Sequence, residues 1–232
     1  MDNNSKVGHH ISQQFNKELE DIRHKVLTMG GLVEQQVELA VKAFSHADME
    51  LAERVIKQDD LVNTMESAID QECIQIIALR QPTAFDLRLL ISVIKLLTEI
   101  ERVGDNAKRI AQMAIHVAND SDNPDSYYEL QHIAEMVRDM LHRALDGFAR
   151  MDTDEIDLIN ELDENVNREY KSIMRQLITR MMEDPRNITR SLDILWAARS
   201  LERIGDHACN ISEYVVYMMK GQDVRHIRNE VA

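Results

Sequence analysis

The chain has 232 residues, 27 of them basic and 41 acidic, for a net charge of −14. That excess leaves nothing to offset phosphate repulsion, which argues against nucleic acid as a partner and disfavours direct docking on an anionic membrane. Hydrophobic residues make up 44%, enough for a real core, while seven Gly, three Pro and 4% aromatics are too few for a β-sandwich or barrel.

Residues 1–9 read as a flexible N-terminus, polar and without the apolar stretch of a signal peptide. From Ile11 the apolar residues Phe15, Leu19, Ile22, Val26, Met29, Val33, Val37, Ala40 and Phe44 follow at gaps of three or four, one face of a long amphipathic helix. Gly30 and Gly31 interrupt it at about 1 kcal/mol each against Ala and mark a close helix approach or a bend. Asp48 reads as the N-cap of a second helix running to about Arg80. After Pro82 a third runs from about Ala84 to Val117. The stretch 119–125 is the clearest loop, an expected linker. Helical periodicity resumes at Ile133, Val137, Met140, Ala144 and Phe148. Asp152 is then expected as an N-cap, Pro185 as a break and Gly221 as a C-cap before a tail over 221–232.

Three helices, a polar linker and three more suggest duplication, and the residues agree. At an offset of 104, Val33, Ala40, Phe44, Asp48, Asp59, Val62, Asn63 and Ile69 meet identical residues at Val137, Ala144, Phe148, Asp152, Asp163, Val166, Asn167 and Ile173. Beyond the prolines the offset becomes 101, where Glu101, Arg102, Gly104, Asp105, Ala107 and Ile110 meet Glu202, Arg203, Gly205, Asp206, Ala208 and Ile211. The expected fold is all-α: two tandem antiparallel three-helix bundles over 10–118 and 126–220, with helices of roughly 30 residues and about 45 Å.

Both repeats keep D-x-x-x-N on the second helix (Asp59/Asn63, Asp163/Asn167) and E-R-[VI]-G-D on the third (Glu101 to Asp105, Glu202 to Asp206). Residues four apart share one helical face, so their oxygens can converge. Asp59 and Asp163 fall on the apolar seam, and the third-helix pairs fall at its edge beside Gly104 and Gly205. An unpaired carboxylate inside a bundle costs several kcal/mol, and a bound cation relieves that cost and the repulsion between neighbouring acids together. The donors are hard oxygens, which favours iron, manganese, magnesium or calcium, with zinc held through carboxylates. The alternative is an ion-paired acidic face, with Arg88, Arg102 or Arg203 as counter-charges.

Other features read as structural. Glu129-x-x-His132 occurs once without a partner motif, Asp139-x-x-His142 is unremarkable, most Met residues sit at core spacing, and Trp196 reads as a core or interface residue. Cys73 and Cys209 read as buried reduced thiols of a cytoplasmic protein. The most apolar stretch, Leu87 to Leu97, is interrupted by Arg88 and Lys95 and is too short to span a bilayer. No P-loop, G-x-S-x-G or G-x-G-x-x-G is present, and no nucleophile–base set points to an enzyme. Two further readings remain open: a carboxylate-liganded metalloenzyme on a helical bundle, and a metal-free helical adaptor.

The repeated E-R-[VI]-G-D motifs, with Arg80-Gln81-Pro82-Thr83-Ala84-Phe85-Asp86-Leu87-Arg88, Ala198-Arg199-Ser200-Leu201 and the tail Lys220-Gly221-Gln222-Asp223-Val224-Arg225-His226, resemble the PhoU family of bacterial phosphate-transport accessory proteins over about residues 10–228. The resemblance implies a dimeric pair of symmetric three-helix bundles in the cytoplasm. It implies a negative regulator of the phosphate-starvation response, placed between the Pst phosphate importer, through its ATPase PstB, and the sensor kinase PhoR, which it keeps from activating PhoB. It also implies iron or zinc clusters in some members. There Glu101/Asp105 and Glu202/Asp206 match the acidic motif, and Asp59 and Asp163 match the second-helix acids. Asn63 and Asn167 are amides where some relatives carry Asp, which lowers the negative charge of each site.

Overall fold

The computed structural model describes residues 3–119 and 128–222, with side-chain burial from 13 and from 130 onward. The expected linker, apart from Asn119, and the tail beyond Gln222 lie outside the described residues. Six α-helices follow one another: α1 (Asn3–His46), α2 (Met49–Arg80), α3 (Ala84–Asn119), α4 (Tyr128–Arg150), α5 (Ile156–Glu183) and α6 (Ile188–Lys220). The described residues contain no strand. α1 is helical from Asn3, so residues 3–9 of the stretch expected to be a flexible end belong to the first helix, and residues 1–2 lie outside the described residues.

The periodic residues of α1 form its buried face: Ile22, Val26, Met29, Val33, Val37, Ala40 and Phe44 are all buried. α1 packs on α2 and α3, and α4 packs on α5 and α6. The two groups join most extensively through α3 against α6, and also through α1 against α4. Both junctions are antiparallel. The Arg88 Nε near the start of α3 donates to the Met218 carbonyl near the end of α6 at 2.8 Å, while His116 near the end of α3 lies 3.3 Å from Asp193 near the start of α6. Lys95 sits over the rings of Tyr214 and Tyr217 at 5.8 and 5.5 Å. Between α1 and α4, Arg23 donates to the Ala149 carbonyl at 2.8 Å and Arg138 to Glu38 at 2.8 Å.

Gly30 is the close approach: a Cβ there would lie 2.9 Å from Leu145 Cδ2 on α4. Gly31 is not, since an added Cβ would meet nothing within 4 Å. The close-approach reading therefore holds for Gly30 alone.

The duplication extends to the backbone. Ala47 and Met151, 104 apart, both take left-handed φ (50° and 58°). Each is followed by an N–H that reaches back five residues, Asp48 to Ala43 O and Asp152 to Gly147 O, both at 2.9 Å. There the repeats diverge. Asp48 caps α2, accepting from Leu51 N at 3.0 Å. Asp152 does not cap α5. Its carboxylate accepts from Thr153 N at 2.6 Å and Asp154 N at 3.1 Å, an Asx turn that competes with the helix, which starts only at Ile156. Pro185 opens a single 3-10 turn whose first N–H groups are served by Asp184. Gly221 ends α6 at φ 70°, its N–H donating to Tyr217 O at 2.9 Å.

Candidate functional site

α2 supplies Asp59 and Asn63, and α3 supplies Glu101 and Asp105. Asp59 has no exposed surface, as its place on the seam predicts. Its ion partner is none of the expected arginines. Lys108 Nζ donates to Asp59 Oδ2 at 2.8 Å, and Asn63 Nδ2 approaches the same oxygen at 3.4 Å. Arg102 instead lies 3.4 Å from Glu99, and Arg88 is engaged by Met218. Lys108 follows Glu101 and Asp105 by seven and three residues on one face of α3, a spacing that fixes its face but not its partner on α2.

On the inner side of this pair, three buried oxygens have no hydrogen-bond partner among the described residues: Asp59 Oδ1, Asn63 Oδ1 and Gln36 Oε1. Gln36 comes from α1 with no exposed surface, its amide nitrogen making only a long 3.5 Å contact to Val55 O. Gly104 faces this cluster. A Cβ there would lie 3.3 Å from Gln36 Oε1 and 3.5 Å from Asp59 Oδ1. Glu101 and Asp105 are half-buried at the rim. Burial pushes the Glu101 carboxyl above the usual range, and Asp105, Glu66 and Asp59 add to the push by repulsion.

In the second bundle, Asp163 is half-buried and accepts from Asn167 Nδ2 at 3.1 Å. Glu202 is buried and pairs with Arg199. Its Oε2 has no hydrogen-bond partner among the described residues, and burial, with Asp206 next, holds its carboxyl above the usual range. Asp206 is exposed, further out than the seam edge expected for the third-helix pairs. Among the described residues, no three His, Cys, Asp or Glu side chains are grouped to hold a metal ion.

The sequence reading also missed Glu99. Its carboxylate is buried between the bundles, accepting from His207 Nδ1 at 2.7 Å and Asn210 Nδ2 at 2.9 Å. Burial acts to raise this group, but the hydrogen bonds from His207 and Asn210 outweigh it and hold Glu99 below the usual carboxylate range. Trp196 is 64% exposed and is no core residue. It lies at four-residue spacing from Leu192, and Leu192 from Ile188, both exposed. Asp139 and His142 bond to Arg143 and Glu34 and form no site of their own.

The architecture is that of a duplicated helical-bundle protein with its acids laid out twice. The PhoU domain family matches residues 26–114 and again 130–215. The chain belongs to the PhoU family. It is 52% identical to the phosphate-specific transport system accessory protein PhoU homologue of Pseudomonas aeruginosa over 227 residues, covering 98% of this chain and 94% of that one. It is 50% identical to the accessory protein PhoU of Escherichia coli K12 over 218 residues, covering 94% and 90%. The crystal structure of PhoU from P. aeruginosa superposes with a TM-score of 0.86 at 51% identity, covering 90% of this chain and all of that one. That of the phosphate transport system regulatory protein PhoU from Streptococcus pneumoniae superposes with a TM-score of 0.84 at 28% identity, covering 90% and 99%. These relatives are named as accessory and regulatory proteins, not as enzymes.

Proposed function

We propose that this chain is a negative regulator of the phosphate-starvation response and a modulator of phosphate uptake, a cytoplasmic adaptor between PstB of the phosphate importer and the sensor kinase PhoR. The observation that carries this reading is the match of both bundles to the PhoU domain, together with half identity over nearly the whole length of phosphate-transport accessory proteins. Physical features support action by contact. No helix among the described residues is long and apolar enough to cross a membrane, and long helices offer broad faces to helical partners. Exposed Trp196 and Met182 are the kind of surface that protein partners cover. Regulation then requires a signal that changes the chain's affinity for one state of a partner over the other. A homodimer would present such faces twice.

The acids enter this reading through charge. Asp163, Asn167, Glu202 and Asp206 would hold an iron, zinc, manganese or magnesium ion in the second bundle, where the buried, unpartnered Glu202 Oε2 suits a hard cation. The positive charge such an ion supplies would offset acids on a protein of net charge −14 that works beside an anionic membrane.

The test is complementation with co-purification. In a bacterium lacking its own copy, this chain is expected to silence a phosphate-starvation reporter in high phosphate and to co-purify with PstB and PhoR. A reporter that stays on, with neither partner retained, would overturn the reading.

A further inference from the structure

The two repeats hold the same acids but differ in what surrounds them. Gln36, Glu66 and Lys108 of the first bundle stand where the second has Met140, Tyr170 and Cys209. The last two exchanges change the charge: α2 brings the Glu66 carboxylate and α3 the Lys108 ammonium to the first cluster, where the second has Tyr170 and a buried thiol.

We propose that Lys108 is the resident cation of the first bundle, holding at Asp59 the place a divalent metal ion would need, so that this oxygen cluster takes up such an ion only when the ammonium is removed. Asp59 is wholly buried and needs one positive partner, and Lys108 Nζ at 2.8 Å is that partner. The lysine stem lies along the bundle while its side chain keeps 30% exposure, the usual compromise for a long basic chain. A dication at the same carboxylate would have to displace this charge or sit beside it, and like charges repel strongly in a desolvated setting.

Apart from the ammonium, the cluster has the makings of a cation site. Asp59 Oδ1, Asn63 Oδ1 and Gln36 Oε1 are buried acceptors without a donor among the described residues. Gln36 and Asp59 are both fully buried, and their free oxygens both lie within 3.5 Å of where a Cβ on Gly104 would sit. Buried acceptors ordinarily find partners, and hard oxygens grouped without donors are the ligand type of Mn²⁺ or Mg²⁺.

The inference rests on the proposed function only in supposing that the duplicated acids can hold metal, and it is read from the first bundle alone. The experiment measures Mn²⁺ retained per full-length chain by elemental analysis after desalting at fixed free Mn²⁺. Lys108→Met and Lys108→Gln are each expected to retain one more Mn²⁺ than the wild-type chain, and the gain is expected to vanish when Asp59→Asn is added. The glutamine variant keeps an amide donor for Asp59, which guards against a loss of folding in the methionine variant. Equal retention by wild type and Lys108→Gln would overturn the proposal, as would a gain that survives Asp59→Asn. Failure of both variants to fold even with Mn²⁺ would count against it as well, because the ion is meant to take over the ammonium's task. Wild-type retention, and its loss on Asp163→Asn, reports the second bundle separately. Its absence would sink the metal part of the proposed function while leaving the Lys108 difference readable.

Discussion

Asp59 shows what one buried charge demands. A carboxylate with no exposed surface is costly without a partner of opposite charge, and the chain supplies one from one turn further along α3 than the motif. Removing one partner of a buried pair leaves the other uncompensated. Lys108→Ala is therefore expected to cost about 3 kcal/mol in urea unfolding, and the double variant Asp59→Asn/Lys108→Met is expected to recover most of it. A loss under about 0.5 kcal/mol for the single variant would show that the pair is not holding the carboxylate in place. The position of Asp59 on the seam was legible in the apolar period of α2. Its partner was not, because periodicity assigns a face to a residue but does not say which polar head reaches across from another helix.

At the scale of the helix, the close spacing of α1 and α4 divides the Gly30–Gly31 pair. Gly31→Ala adds a methyl group to open space on a helical backbone and is expected to stabilise by about 1 kcal/mol, the difference in helix propensity. Gly30→Ala drives a methyl to 2.9 Å from Leu145 and is expected to forfeit that gain or reverse it. Parallel thermal melts of the two variants decide, and equal shifts would mean that α1 and α4 are not in the contact described. The helix starts teach a related lesson. Asp48 and Asp152 are identical residues at equivalent positions, preceded by the same left-handed turn, yet only Asp48 caps a helix. Asp152 spends its carboxylate on the next two amides, so its helix begins at Ile156. A capping residue can satisfy either its own turn or the helix ahead, and its identity does not choose between them.

For the whole molecule, the junction of the two bundles has the buried Glu99 at its centre, tied to His207 and Asn210 across α3 and α6. Its folded pKa lies below the ordinary value of 4.5, so its contribution is fully present above that value and is lost as pH falls through the folded one. Glu101 and Glu202 have the opposite sign. Their folded pKa values are raised, so ionising them destabilises the fold near neutrality, and acidification through those values relieves the penalty. Urea midpoints are therefore expected to rise modestly as pH falls from neutrality toward the ordinary carboxylate value of 4.5 and to fall once pH passes below it, and Glu99→Gln is expected to weaken the acid-side fall. A midpoint that declines steadily from pH 7 downward would contradict the placement of Glu101 and Glu202.

The sequence by itself determined the helical class, the six elements, the twofold repeat and the family, because each depends on spacing along one chain: gaps of three and four, and offsets of 104 and 101. Tertiary structure alone decided that Lys108 and Gln36 join Asp59, that Glu99 bridges the bundles, that Asp206 and Trp196 face outward, and that Gly30 touches α4 where Gly31 does not. These are contacts between residues far apart in the chain. They follow from how the helices are rotated and packed against one another, which a one-dimensional period leaves undetermined.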